Sequence, residues 1–224
     1  MNRLLVPHGG EVGERVLAGL AESHHLLDVQ RVARGRMVRL SDGEGWVADA
    51  ELVDVVAGQA VLEVRAVLPP EAVAERVVVI GMPKAGALEE ALVLGAEAGA
   101  TAFVLVRAMR SPPGELRADR LDRVLRACAT QCGRGELPLV RGPVSLSDLG
   151  PLPAARFVAT PGRHPVPSLL SGEGAAIAVG SEGGWDEVEQ RALEGQGFAP
   201  LGLGPFILRT PTAVAVGLGR LCRG

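Results

Sequence analysis

The stretch Ala175-Ala176-Ile177-Ala178-Val179-Gly180-Ser181-Glu182-Gly183-Gly184-Trp185-Asp186 reads as a buried strand that runs into a glycine-rich loop and then a helix. Five apolar residues in succession suit a strand covered on both faces, as in a parallel sheet. Glycines after such a strand let backbone amides approach a ligand closely, and ligands of open α/β sheets bind outside the carboxyl ends of the strands. The pattern predicts a small-molecule site. It is not a Walker loop, since no Gly-Lys-Ser/Thr follows, and it lacks the Gly-x-Gly-x-x-Gly spacing of a dinucleotide fold.

The same alternation extends to either side. Val77 to Gly81, Ala102 to Val106 and Arg156 to Ala159 are further apolar runs, and Leu88 to Ala98 and Arg117 to Gln131 have helical spacing. A helix is predicted over Asp186 to Gly195, a short segment at Phe198 to Leu203, and a last helix from about Pro211 to Cys222, with Thr210 as N-cap and Pro211 in its first position. The segment Leu201-Gly202-Leu203-Gly204-Pro205-Phe206-Ile207-Leu208-Arg209-Thr210 repeats the strand-to-glycine-loop theme, and the two loops are expected to form one adenosine pocket from main-chain groups. Neither loop offers a nucleophile. His164 lies in a proline-rich loop and His8, His24 and His25 lie far off in the chain, so a covalent hydrolytic mechanism is disfavoured.

Before residue 68 the reading changes to short β segments at Met37 to Leu40, Gly45 to Leu52 and Gln59 to Val67, split by turns at Asp42-Gly43-Glu44-Gly45 and Ala57-Gly58. Val12, Val16, Leu17 and Leu20 predict a helix over Glu11 to Glu22. This half reads as a small β-barrel. Pro69-Pro70 is a stiff break, and the domain boundary is placed there, giving domains 1–68 and 71–224.

Composition bounds the class. The 224 residues are 47% hydrophobic and 22% charged, which excludes disorder, collagen and coiled coil. No apolar run approaches the ~20 residues of a membrane span, and the N-terminus lacks the pattern of a secretory signal, so a cytoplasmic protein is expected. The net charge is −3, and Lys84 is the only lysine among 23 basic residues. Arg31, Arg34, Arg36 and Arg39 fall in a window without an acid and suggest a basic edge. Cys128, Cys132 and Cys222 are too few for a disulfide framework, and no Cys/His cluster has zinc spacing, so no metal is expected. Cys128 and Cys132 lie four apart on a predicted helix and are both expected to be buried. Trp185 either covers the glycine loop or anchors the following helix. Glu182 either bonds amides of its own loop or meets a ligand.

Gly180-Ser181-Glu182-Gly183-Gly184, paired with Leu201-Gly202-x-Gly204-x-x-Ile207-Leu208-Arg209-Thr210-x-Thr212-Ala213, resembles the 16S ribosomal RNA uridine-N3 methyltransferases of the SPOUT superfamily. Weaker matches span the chain: Arg3, His25 with Arg31, Asp42-Gly43, Lys84, Glu97-x-Gly99, Arg110-Ser111, Gln131-x-Gly133-Arg134 and Pro138. The chain departs from the family where it carries Ser181 for the usual Pro, Phe206 for Arg and Pro211 for Glu, and where Leu94, Ala96 and Met109 replace a lysine, a threonine and an acid.

The resemblance implies a PUA-like barrel that holds RNA, followed by a SPOUT-type α/β domain with a deep C-terminal trefoil knot. It implies a homodimer that binds S-adenosylmethionine and methylates N3 of a uridine in 16S rRNA of the small ribosomal subunit. Carried over by position, Gly180, Glu182, Gly183, Gly184, Leu201, Gly202, Ile207 and Leu208 would hold the cofactor, and Arg209 would act at the cofactor and target base. Arg3, His25, Arg31, Arg110 and Arg134 would meet RNA. Phe206 and Pro211 motivate two alternatives, a non-catalytic RNA-binding protein on the same fold and a methyltransferase with a different RNA substrate.

Overall fold

In the computed structural model, residues 3–69, 73–113, 116–162 and 172–221 are described. The chain divides into two compact units, Met1–Ala72 with Arg126–Leu137 and Val73–Leu125 with Pro138–Gly224. The chain changes unit near residue 72, and Arg126–Leu137 joins the N-terminal unit without any local signature.

The first unit carries β1 (Arg3–Leu5), β2 (Arg15–Leu17), α1 (Leu20–His24) with a π turn over His25–Val29, β3 (Met37–Ser41), β4 (Val47–Val56) and β5 (Gln59–Leu68). They form a mixed sheet in the order β1-β3-β4-β5-β2, with β1 parallel to β3 and the other pairs antiparallel. Ala57 and Gly58 both take positive φ (50° and 80°), the backbone of a two-residue hairpin whose twist matches its strands. Leu4, Val16, Leu26, Leu40, Leu52 and Leu62 meet in one core, each burial contributing roughly 1.5–3 kcal/mol.

The helix expected over Glu11 to Glu22 does not form. Gly13 takes φ +91° and residues 15–17 pair with β5 instead. Three of the four residues behind that expectation, Val12, Leu17 and Leu20, are 64%, 43% and 66% exposed. Only Val16 reaches the core, flanked by outward residues in the period-2 manner of a strand. The basic window is partly neutralised: Arg39 holds Asp49 through two bonds of 2.9 and 3.1 Å, and Arg34 pairs with Asp54.

The second unit is α/β. It contains β6 (Arg76–Gly81), α2 (Ala85–Glu97), β7 (Ala102–Val106), the first turns of α3 (Ala118–Cys132), β8 (Leu139–Val144), β9 (Ala155–Thr160), β10 (Ala175–Val179), α4 (Glu187–Gly195), β11 (Ala199–Gly202) and α5 (Thr210–Leu221). All six strands are parallel, in the order β11-β9-β10-β6-β7-β8. β6 and β10 are buried at every position, which is why their sequences are unbroken apolar runs. α5 lies close on β10 at Gly217, where any Cβ would run into Ile177.

Two expectations need correcting. Ala213 N–H bonds the Arg209 carbonyl at 2.8 Å, so Arg209 flanks the last helix and Thr210 is its first residue rather than its cap. Cys128 is buried but Cys132, at the end of α3, is exposed. His164 and Cys222 lie outside the described residues. Among the described residues no helix is long and apolar enough to cross a membrane, and no group of three His, Cys, Asp or Glu is placed to hold a metal.

Candidate functional site

At the carboxyl ends of β9, β10 and β11 the second unit encloses a cavity of about 450 Å³. Of the residues carried over for the cofactor, Gly180, Glu182, Gly183, Gly184, Ile207 and Leu208 line it. Leu201 and Gly202 are among neither its walls nor its rim: they pair with Ala159 and Thr160 in the sheet, and Leu201 is wholly buried. Pro200, Leu203, Thr160 and Pro161 line it from those strand ends instead.

The loop after β10 folds back on itself. Gly184 takes φ +68° and its N–H bonds the Ser181 carbonyl at 2.9 Å. A Cβ on Gly180 would stand 2.8 Å from the Gly184 Cα and 2.9 Å from its carbonyl carbon, a backbone clash with no soft neighbour to yield. The loop is then fastened from outside. Arg110 Nη1 donates to the Gly183 carbonyl at 2.7 Å, and its side chain lies against the Gly183 Cα face. Glu182 accepts the backbone N–H of Lys84 at 3.3 Å, so it bonds an amide of the β6–α2 connection rather than one of its own loop.

Glu189 is a residue the sequence reading missed. One carboxylate oxygen accepts Asp186 N–H at 2.9 Å to complete a capping box on α4, and the other accepts Met109 N–H at 2.7 Å. It therefore couples the glycine loop to the loop after β7 that carries Arg110. The Asp-x-x-Glu spacing at the start of a helix is a readable signal for the first of these bonds. Trp185, 5% exposed, is both anchor and floor: it belongs to the core, packs against Gly81 and lines the cavity.

The second loop, residues 203–209, is held more sparsely. Gly204 accepts Gly162 N–H at 3.2 Å, and Thr210 at the head of α5 donates its hydroxyl to the Gly180 carbonyl at 3.0 Å, joining the two loops. Phe206 and Ile207 are 76% and 88% exposed. Arg209 lies outside the cavity wall and faces Glu90 of α2 at 3.4 Å, an exposed pair.

The residues expected to meet RNA separate. Arg110 joins the cavity just described. Arg3 and His25 line a different cavity of about 620 Å³ within the first unit, with Gln30, Thr130, Gln131 and Gly133. His25 and Gln30 share a 3.0 Å hydrogen bond between their ring and amide nitrogens. Arg31 follows at φ +53° with its side chain exposed, and Arg134, beside Gly133, donates to the Glu136 carbonyl at 3.2 Å. Four of the five thus fall in the first unit.

Residues 70–221 match the RNA methyltransferase domain model. The chain is 30% identical over 232 residues to ribosomal RNA small subunit methyltransferase E of Synechocystis sp., covering 98% of this chain and 76% of that one. It is 31% identical over 222 residues to the protein of the same name from Mycobacterium tuberculosis, covering 88% and 82%. A crystal structure of ribosomal RNA small subunit methyltransferase E from Neisseria gonorrhoeae bound to S-adenosyl methionine shares the fold, with a TM-score of 0.83, 24% identity, and coverage of 99% of this chain and 96% of that one.

Proposed function

The chain belongs to the ribosomal RNA small subunit methyltransferase E family of RNA methyltransferases, and from that premise we propose that it methylates N3 of a uridine in 16S rRNA using S-adenosylmethionine. The observation that carries the reading is the cavity of about 450 Å³ bounded by the two strand-end glycine loops. Its volume lies in the ordinary range for small-molecule sites, roughly 300–1,000 Å³. Gly180 and Gly183 admit no Cβ because the loop closes against Gly184 and Arg110 there, which holds this wall of the cavity in one shape.

Gly180, Gly183, Gly184, Ile207 and Leu208 hold the cofactor in this reading, with Trp185 beneath it. When bound, the cofactor supplies an electrophilic methyl carbon, taken by the uridine N3 as the carbon–sulfur bond breaks and its electron pair stays on sulfur. Arg209 turns from its exposed partner Glu90 toward the uracil carbonyls, where a positive charge favours loss of the N3 proton to solvent. Such an exposed ion pair is weak enough to exchange. N3 lies on the pairing edge of uracil, so the base must be unpaired or turned out to be reached.

The first unit is read as the PUA-like domain that holds RNA through Arg3, His25, Arg31 and Arg134. The segment around the second loop is read as a trefoil knot, and the active protein as a cytoplasmic homodimer acting on the small ribosomal subunit. The test is methyl transfer from labelled S-adenosylmethionine to small subunits from a strain lacking this gene, followed by nucleoside analysis. N3-methyluridine is expected. Cofactor binding without transfer to any RNA overturns the enzyme reading in favour of an RNA-binding protein, and label in another nucleoside or RNA reassigns the substrate.

A further inference from the structure

A second cavity, of about 280 Å³, opens in the same unit at the carboxyl ends of β6 and β7. Met82, Leu88, Pro112 and Leu121 give it an apolar lining, and Lys84 and Arg117 stand exposed at its rim, Arg117 in a loose surface pair with Asp119 at 3.9 Å that is weak enough to exchange for a phosphate. Arg120, which also lines it, is neutralised by Glu89 at 2.6 Å. Among the described residues the Lys84 ammonium has no ion-pair partner, although its backbone N–H is taken by Glu182.

That bond is the border between the two cavities, since Lys84 lines the smaller and Glu182 the larger. The border has a topological cause. From β6 the chain runs outward to β7 and β8, while β9, β10 and β11 all lie on the other side of β6. The switch therefore falls between β6 and β10, where open α/β sheets present their binding crevice. Gly81 and Ser181 meet there: a Cβ on Gly81 would stand 3.1 Å from the Ser181 nitrogen.

Direct methyl transfer requires donor and acceptor sites that adjoin, because the accepting nitrogen must come within roughly 3–3.5 Å of the methyl carbon. Resting on the methyltransferase reading, we propose that the smaller cavity receives the acceptor nucleotide of the RNA. Its unpaired base lies on the apolar lining with its N3 edge turned past Glu182 toward the larger cavity, so that N3 meets the methyl carbon directly, and Lys84 and Arg117 meet the flanking phosphates. An apolar lining with a cationic rim suits a single-stranded nucleotide, whose base has apolar faces and whose backbone is anionic.

The test uses the full chain, small subunits lacking the modification, and two separate variants, Lys84→Ala and Arg117→Ala. Cofactor affinity by isothermal titration is expected to stay within about twofold of the parent. The KM for subunits should rise about tenfold, and the salt dependence of RNA binding should lose about 0.7 in log–log slope per variant, the share of one single-strand phosphate contact. A purely structural role would not move that slope. Failure of the parent to bind cofactor or methylate RNA overturns the methyltransferase reading itself. A parent that methylates while both variants keep its KM and slope overturns the acceptor site. Variants that lose cofactor affinity as strongly as RNA affinity also overturn it, because the smaller cavity then belongs to the cofactor.

Discussion

Of the two loops that bound the larger cavity, residues 180–186 are fastened by Arg110, the backbone of Lys84, the Glu189 carboxylate and the Thr210 hydroxyl, whereas residues 203–209 leave Phe206 and Ile207 almost wholly in solvent. Both leave the carboxyl ends of strands in one sheet. The difference teaches that the site has a fixed side and an adaptable side. Preorganised donors cost nothing to order when a ligand arrives, while exposed apolar side chains can be recruited to cover it.

The comparison breaks most sharply at Gly180. Gly180→Ala drives a Cβ into the Gly184 backbone, and overpacking of this kind costs about 1–3 kcal/mol. We expect cofactor affinity to fall by more than about tenfold in calorimetry, and retention of parental affinity would show that the fixed side is not fixed. Glu189→Ala comes next, losing the capping box and the tie to Met109 together. A urea melt should report a loss of about 1–2 kcal/mol, with Glu189→Gln recovering part of it because an amide oxygen still accepts. Arg110→Ala removes one exposed bond to the Gly183 carbonyl, so cofactor affinity should drop only about threefold to fivefold. At the adaptable side, Phe206→Ala should change stability by less than about 0.5 kcal/mol. A larger loss would mean that Phe206 is packed in solution and that the two loops are more alike than their exposure indicates.

The parallel sheet was legible because continuous apolar runs have few alternatives: β6, β7, β9 and β10 all coincide with predicted segments. β8 was not, since Arg141, Gly142 and Pro143 interrupt it and its edge position leaves most of it outside the core. Helical spacing in the first unit misleads because spacing alone does not reveal which apolar residues face solvent, and Gly10 borders and Gly13 and Gly19 interrupt the segment. At the site, the glycines announced the loops, because backbone approach demands that residue type. The ties did not announce themselves: Glu189 reaches Met109 across 80 positions, and Arg110 reaches Gly183 across 73. Such pairings are set by the order of strands in the sheet, not by any local pattern. For the same reason nothing in Arg126–Leu137 marked it as part of the first unit.

The burial of Trp185 also has a spectroscopic consequence. The chain has two tryptophans and no tyrosine. Trp46 packs against the core of the first unit, and Trp185 lies under the cavity of the second. Each unit thus carries its own intrinsic fluorophore. Replacing either one by phenylalanine leaves emission from a single unit, so the melting of each can be followed separately within the intact chain.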